Sequence, residues 1–255
     1  MEQVAKHGLP QGRGLDLGCG DGLLTRILLQ ETSPREVVGV DPDYAEAAQA
    51  ERLGIYAAVH AVGADKVPEP GGSFDWVFSN SVLEHIDDID PVLAEVARLL
   101  RAGGEFVFTV PGPEFHACLR GPLLPGRSRE SYLRHLDARL AHRRYWGPVE
   151  WKSALEPHGL RLKSAVGYLD PAEVRRWESI SRVTAGVLYG LAARRPQPIQ
   201  IQRRLGLRKP GRRMPRSLAR ALATLLAANL NGARAGGSAL NGCYLISAVK
   251  RDAAQ

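Results

Sequence analysis

The stretch "LDLGCGDGLLT", residues Leu15 to Thr25, decides the fold. An apolar run carries an aspartate, three glycines follow at every second position, and leucines then resume at helical spacing. Read as strand, glycine loop and helix, this opens a crossover unit, and residues without Cβ let a backbone come close to a flat or charged ligand. The expected ligand contains a nucleotide.

Outward from this stretch the alternation continues to about Val110. "GLDLGC" reads as strand one, "LLTRILLQ" as a helix, "EVVGVD" as strand two, Tyr44 to Leu53 as a helix, and "YAAVHAV" and "FDWVFSN" as strands three and four. "DPVLAEVARLLRAGG" has a helix-start aspartate and proline, apolar spacing of three and four, and a glycine stop, and "EFVFTV" supplies strand five. Residues 111 to 147 are rich in Pro, Gly, Arg and His. A helix in "VEWKSALEPHGL", a strand "RLKSAVGYL" and a closing strand "GCYLISAVK" follow, with a basic segment between the last two. The reading is α/β: a Rossmann-like, doubly wound, mostly parallel seven-stranded sheet with helices on both faces and an α-helical insertion before the last strand. One domain is expected over 1–255, with a cofactor-binding core at 1–110, a lid or substrate region at 111–150, a basic helical insertion at 171–240 and the closing strand at 241–250.

A dinucleotide fingerprint would need its third glycine at position 23, where Leu23 stands. Here Gly18, Gly20 and Gly22 are preceded by Asp16, and Asp41 closes strand two in "VGVDPD". That combination resembles the class I S-adenosylmethionine-dependent methyltransferases, whose first motif is an acidic residue followed by Gly-x-Gly-x-Gly. "FDWVFSNSVLEHIDD" and "LRAGGEFVFTVPGPEF" are similar to the fourth and fifth strand motifs of the small-molecule branch, with its type 11-like domain. The resemblance spans about Gly12 to Val110 and implies S-adenosyl-L-methionine as cofactor. It implies contacts from Asp16 near the ammonium, from Gly18, Cys19, Gly20 and Gly22 in the loop, from Asp41 on both ribose hydroxyls, from Pro42 or Asp43 beside the adenine, and from Asn80. The family often places an acid holding the adenine amino group where Gly63 stands. Asp65, two places later, is expected as a weaker adenine contact, with Ala64 offering its backbone.

Methyl transfer from a sulfonium is an in-line displacement, which mainly requires alignment in a dry pocket. A hydroxyl acceptor would also need a base, and histidines suit it. The candidates are His85, after strand four, and His116, His142 and Tyr145 in the segment after strand five, where His135 and Trp146 also lie. Tyrosine and tryptophan can wall an apolar acceptor; alternatively "RHLDARLAHRR" is a solvated helix that pairs charges. Some relatives with Glu-x-x-Glu-His after strand four bind a divalent cation, but "SVLEH" offers Glu84 and His85 with Ser81 in the first position, so no metal is expected.

Composition bounds the partners. Cys19, Cys118 and Cys243 are scattered, which suggests neither a disulfide framework nor a thiolate zinc site and fits a reducing cytoplasm. No signal peptide or membrane span is expected. The net charge of +7 is uneven: residues 171–240 hold 14 basic and 2 acidic residues, net +12, leaving −5 elsewhere. Within that segment "VTAGVLYGLAA" and "SLARALATLLAANL" are apolar and bordered by arginines, as helices covering a lipophilic acceptor or lying peripherally on an anionic membrane would be. Helices packed on the sheet would look the same. Strand four ends in "SNSV", without the Asn/Asp-Pro-Pro-aromatic run that grips an amino nitrogen, and no cysteine follows a proline, so nucleic acid is a less favoured partner. The function read is methyl transfer to an oxygen, less readily a nitrogen or carbon, of a small or lipid-linked metabolite. The alternatives are a methyltransferase of RNA or another large anionic substrate, and a non-catalytic scaffold keeping the cofactor fold.

Overall fold

A computed structural model describes residues 2–31, 36–122, 126, 128–182 and 240–252. The chain divides into two compact units: Met1–Pro113 with Arg143–Tyr168 and Cys243–Gln255, and Glu114–His142 with Leu169–Gly242. The described helices are, in chain order, α1 (Glu2–His7), α2 (Leu23–Glu31), α3 (Tyr44–Arg52), α4 (Asp90–Leu99), α5 (Phe115–Cys118), α6 (Arg129–Leu140), α7 (Pro148–Leu155) and α8 (Pro171–Ser181). None is long and apolar enough to cross a membrane.

The first unit is built on a seven-stranded sheet of β1 (Arg13–Leu17), β2 (Glu36–Val40), β3 (Ala58–His60), β4 (Phe74–Asn80), β5 (Leu100–Pro111), β6 (Leu160–Tyr168) and β7 (Cys243–Lys250), in the order β3-β2-β1-β4-β5-β7-β6. The first five strands run parallel, and β7 pairs antiparallel with both β5 and β6. Alternate residues serve opposite faces. Leu15, Leu17, Val77, Phe106 and Phe108 pack with Val92 and Val96 of α4 and with Trp151 and Leu155 of α7. Trp76, Phe78, Val107 and Leu245 pack with Val4 of α1 and Leu28 of α2. Both faces are therefore covered, which is why the strands read as continuous apolar runs. The order reverses between β1 and β4, and such a reversal opens a crevice at the strands' carboxyl ends.

Two boundaries differ from the sequence reading. Helix α4 stops at Leu99, not at the glycines, because Leu100 is already extended and pairs with Phe74. "LRAGG" instead forms a bulge at the start of β5: Gly103 takes φ +70°, and the pairing register shifts between Phe74 and Trp76. Strand three is shorter than "YAAVHAV", since only Ala58–His60 pairs with β2.

In the second unit, Glu178 on α8 is 1% exposed. It accepts from Tyr132 Oη (2.5 Å), the Arg120 N–H (2.8 Å), the Gly121 N–H (3.3 Å) and Arg182 Nη2 (2.7 Å). These bonds hold Glu178 below the usual carboxylate range against the opposing effect of burial. Asp170 caps α8 by accepting from the Ala172 and Glu173 N–H groups. Of the expected basic insertion only this first helix, Arg182 and Leu240 fall within the described residues; "VTAGVLYGLAA" beyond Arg182 and all of "SLARALATLLAANL" lie outside them.

Candidate active site

The glycine loop is tied to the second strand at two points. The Val40 carbonyl accepts the N–H groups of both Gly18 (2.8 Å) and Cys19 (2.9 Å), and Asp41 Oδ2 accepts the Gly20 N–H at 2.9 Å. Asp41 Oδ1 accepts the Asp43 N–H at 2.9 Å, so the carboxylate at the tip of β2 is oriented from both sides. Gly18 has φ +81°, and a Cβ there would press into the Val82 methyls. At Gly22, φ is +73° and a Cβ would lie 2.9 Å from Tyr56 Cε2. These positions require glycine on both counts.

A cleft of about 540 Å³ opens beside this loop, walled by segments that follow the first four strands. Gly18 comes from β1, Val40 and Pro42 from β2, Gly63, Ala64 and Asp65 from β3, and Val82, His85, Ile86, Asp88, Pro91 and Val92 from the turn after β4 and the start of α4. The Asp65 carboxylate fills the space a side chain at 63 would need: a Cβ on Gly63 would lie 2.5 Å from Asp65 Oδ1.

Not every expected residue lines the cleft. Asp16 is buried behind the loop, where its Oδ2 accepts from Thr25 Oγ1 (2.5 Å) and Tyr56 Oη (2.6 Å). Burial pushes its carboxyl up to about 6 and the Asp41 charge adds to this, against the two hydroxyl bonds, which lower it. Cys19 is buried, with its thiol raised by burial and then by the charges of Asp16 and Asp41. Gly20 and Gly22 shape the loop without lining the cleft, and Asn80 accepts from Thr109 Oγ1 at 2.8 Å, joining β4 to β5. Of the four candidate catalytic residues the structure brings His85 to the cleft. Tyr145 belongs to the same unit but is not among the cleft-lining residues, and Trp146 packs against the core, edge-on to Trp151 at 5.1 Å. His116 and His142 lie in the second unit: His116 Nε2 meets Asp137 Oδ1 at 2.9 Å, and the His142 ring lies 6.2 Å from that of Phe115. His135, itself exposed on α6, has its Nδ1 2.6 Å from the Ser131 carbonyl.

Three features were missed from sequence. Tyr56 was read as strand, yet it bridges to Asp16. The apolar wall of Val82, Ile86, Pro91 and Val92 could have been found from its place after the fourth strand. Glu84, on a 3-10 turn from Leu83 to His85, is 1% exposed, and its Oε2 has no hydrogen-bond partner among the described residues. Burial pushes its carboxyl up to about 8, opposed by backbone bonding, the Arg144 charge and the Ser81 hydroxyl. The turn is fixed by Ser81 at φ +53° and by Arg144 Nη1 donating to the Leu83 carbonyl at 2.6 Å.

Comparison with known proteins fits this geometry. The family described as "Methyltransferase domain" matches residues 15–108. A ubiquinone biosynthesis O-methyltransferase of Rhizobium etli is 30% identical over 191 residues, which are 72% of this chain and 73% of that protein. The chain belongs to the class I S-adenosylmethionine-dependent methyltransferases. Its fold is shared by the partner of the Trm112 methyltransferase activator in a Haloferax volcanii complex (TM-score 0.60, 15% identity, 100% of this chain and 89% of that one). It is shared too by phosphoethanolamine N-methyltransferase 2 of Haemonchus contortus, solved with S-adenosyl-L-methionine (TM-score 0.58, 19% identity, 98% and 52%).

This methyltransferase has residues that fit its cofactor. Gly18 leaves open a cradle that a Cβ would crowd, the apolar wall suits a flat base, and the Asp41 carboxylate, although not among the cleft-lining residues, is held from both sides at the tip of β2 between the lining residues Val40 and Pro42. S-adenosylmethionine supplies a methyl group on a sulfonium, open to in-line displacement. Val82, Ile86 and Val92 give the cleft an apolar wall, and His85 stands beside them on it.

Proposed function

We propose that the methyltransferase acts on an oxygen of a small or lipid-linked metabolite. In this reading Asp41 holds the ribose hydroxyls, Pro42, Ala64 and Asp65 frame the adenine, and the Gly18–Gly22 loop with Asp16 receives the amino-acid end. His85 takes the hydroxyl proton as the methyl is transferred. The supporting observation is the placement of His85 on the cleft wall just after β4. The Rhizobium etli relative, named as an O-methyltransferase of ubiquinone biosynthesis, supports the choice of oxygen. The end of β4 and the residue after it, Ser79–Asn80–Ser81, lack a proline-aromatic grip for the amino group of a base, which weighs against a nucleic acid acceptor.

By their place in the segment that follows β5, His116, His142 and Tyr145 are proposed to act on the acceptor. The test is transfer of labelled methyl from S-adenosylmethionine into metabolite extracts, aqueous and lipid, with each of the four residues replaced by alanine. Loss of transfer at unchanged S-adenosylhomocysteine affinity supports an acceptor role; full transfer by His85→Ala removes it as the base. Labelled RNA and anionic against neutral vesicles serve as further partners. Steeply salt-dependent RNA binding without vesicle binding favours the large anionic substrate, whereas anionic vesicle binding favours a lipid-linked acceptor and peripheral membrane contact.

A further inference from the structure

The carboxyl of Asp16 is a buried acid without a buried base. It is 2% exposed, and among the described residues no lysine, arginine or histidine pairs with it. Two hydroxyls, from Thr25 on α2 and Tyr56 before β3, donate to its Oδ2. The charge that acts on it most directly is Asp41 at the tip of β2, which is repulsive. An anion in that setting costs free energy unless something positive arrives.

Tyr56 is also wedged into the loop's foundations. A Cβ on Gly22 would lie 2.9 Å from its Cε2, and one on Gly39 in β2 3.3 Å from its Cδ1 and Cε1. One ring thus touches the glycine loop and β2 while its hydroxyl reaches β1. Burial and then the Asp16 charge push the Tyr56 hydroxyl far above its ordinary range, so it remains a donor throughout neutral pH. The Cys19 thiol, raised in the same way, stays neutral.

We propose that Tyr56 is a positioning residue that keeps Asp16 ionised beneath the glycine loop, so that binding of the cofactor's cationic amino-acid end is coupled to the charge on Asp16. The ligand's ammonium supplies the missing counter-charge. Protonating Asp16 removes the attraction without altering the adenosine contacts in the cleft. The coupling does not depend on which acceptor is methylated. A carboxyl held up by burial and down by two hydroxyls, at about 6, changes charge within the range where the folded protein can be titrated.

Two measurements test this. The first is a carbon NMR titration of the Asp16 carboxyl in the unliganded protein. The second is calorimetry between pH 5 and 8 with S-adenosylmethionine, S-adenosylhomocysteine and methylthioadenosine, the last lacking the amino-acid end. The Asp16 midpoint should fall near 6 and move up by about one unit in Tyr56→Phe, which removes one bond to the charged form. Affinity for the first two ligands should fall below that midpoint while methylthioadenosine stays level. At pH 7 Tyr56→Phe should weaken S-adenosylhomocysteine several-fold and methylthioadenosine by less than about twofold. Should Tyr56→Phe not fold, Thr25→Val removes the other donor and carries the same expectation, and the wild-type ligand comparison needs no variant. An unmoved midpoint, or a methylthioadenosine profile that falls with pH like the other two, overturns the proposal.

Discussion

Alanine at Gly18 asks for two separate sacrifices, and they can be measured apart. The backbone there has φ +81°, and a residue with a Cβ in left-handed conformation costs about 1–2 kcal/mol. The new Cβ would also press into both Val82 methyls, and overpacking of this kind costs about 1–3 kcal/mol. Gly18→Ala should therefore lower stability by roughly 2–5 kcal/mol. Because Gly18 and Val82 share the cleft wall, cofactor affinity should drop at least tenfold, about 1.4 kcal/mol. Val82→Ala removes the steric part and leaves the dihedral part. In a double-mutant cycle read by urea unfolding, Gly18→Ala with Val82→Ala should lose about 1–3 kcal/mol less than the two single changes together. Calorimetry with S-adenosylhomocysteine should show partial recovery in the double variant. If the two changes add within about 0.5 kcal/mol, Val82 does not confine Gly18 and the account of the loop is wrong.

Asp41→Ala should weaken both S-adenosylmethionine and S-adenosylhomocysteine at least tenfold in calorimetry, since charge-assisted bonds are worth about 1.5–3 kcal/mol; it also releases the Gly20 and Asp43 N–H groups. Equal affinity would remove Asp41 from the site. Glu84 titrates higher in the folded protein than in the unfolded chain, so its favourable contribution is complete below about 4.5 and is lost as pH rises toward about 8. Urea unfolding of Glu84→Gln at pH 5 and pH 8.5 should accordingly show a smaller loss with rising pH than the wild type; identical slopes would refute the assignment. Glu178 is shifted the other way, so its contribution holds above the ordinary glutamate range and disappears as pH falls through its lowered value. Glu178→Ala should cost about 3–5 kcal/mol at neutral pH by leaving the Arg182 charge without its carboxylate and two backbone N–H groups unpaired, and thermal unfolding unchanged from wild type would contradict this.

What could be read in the sequence was whatever is local. Strands such as Phe74–Asn80 are buried on both faces, so their apolar runs announce them, and the glycines of the loop stand in the chain as they stand in space. The start of β5 misled because Leu99 and Leu100 look like consecutive helical residues, while the pairing of Leu100 with Phe74 is a tertiary fact. Tyr56 escaped for the same reason: nothing near it in sequence shows that its hydroxyl finds Asp16, forty positions earlier. Glu84 reads as one member of an incomplete cation pattern, and nothing near it in sequence shows that the turn buries it. Asp65 shows the opposite case. The glycine at 63 looked like a missing acid, and the structure brings the neighbouring carboxylate over that glycine.

The place of β7 has a consequence for how the chain is made. β7 lies between β5 and β6 and supplies the pairing of β6 within the sheet, yet it follows Leu169–Gly242, which belong to the other unit. During synthesis β5 and β6 therefore emerge with raw edges and wait while the intervening residues are translated. Until β7 arrives, they expose unpaired backbone of the kind that recruits stray strands. The nascent protein is thus most prone to aggregation late, after its cofactor loop and the five parallel strands have already been made.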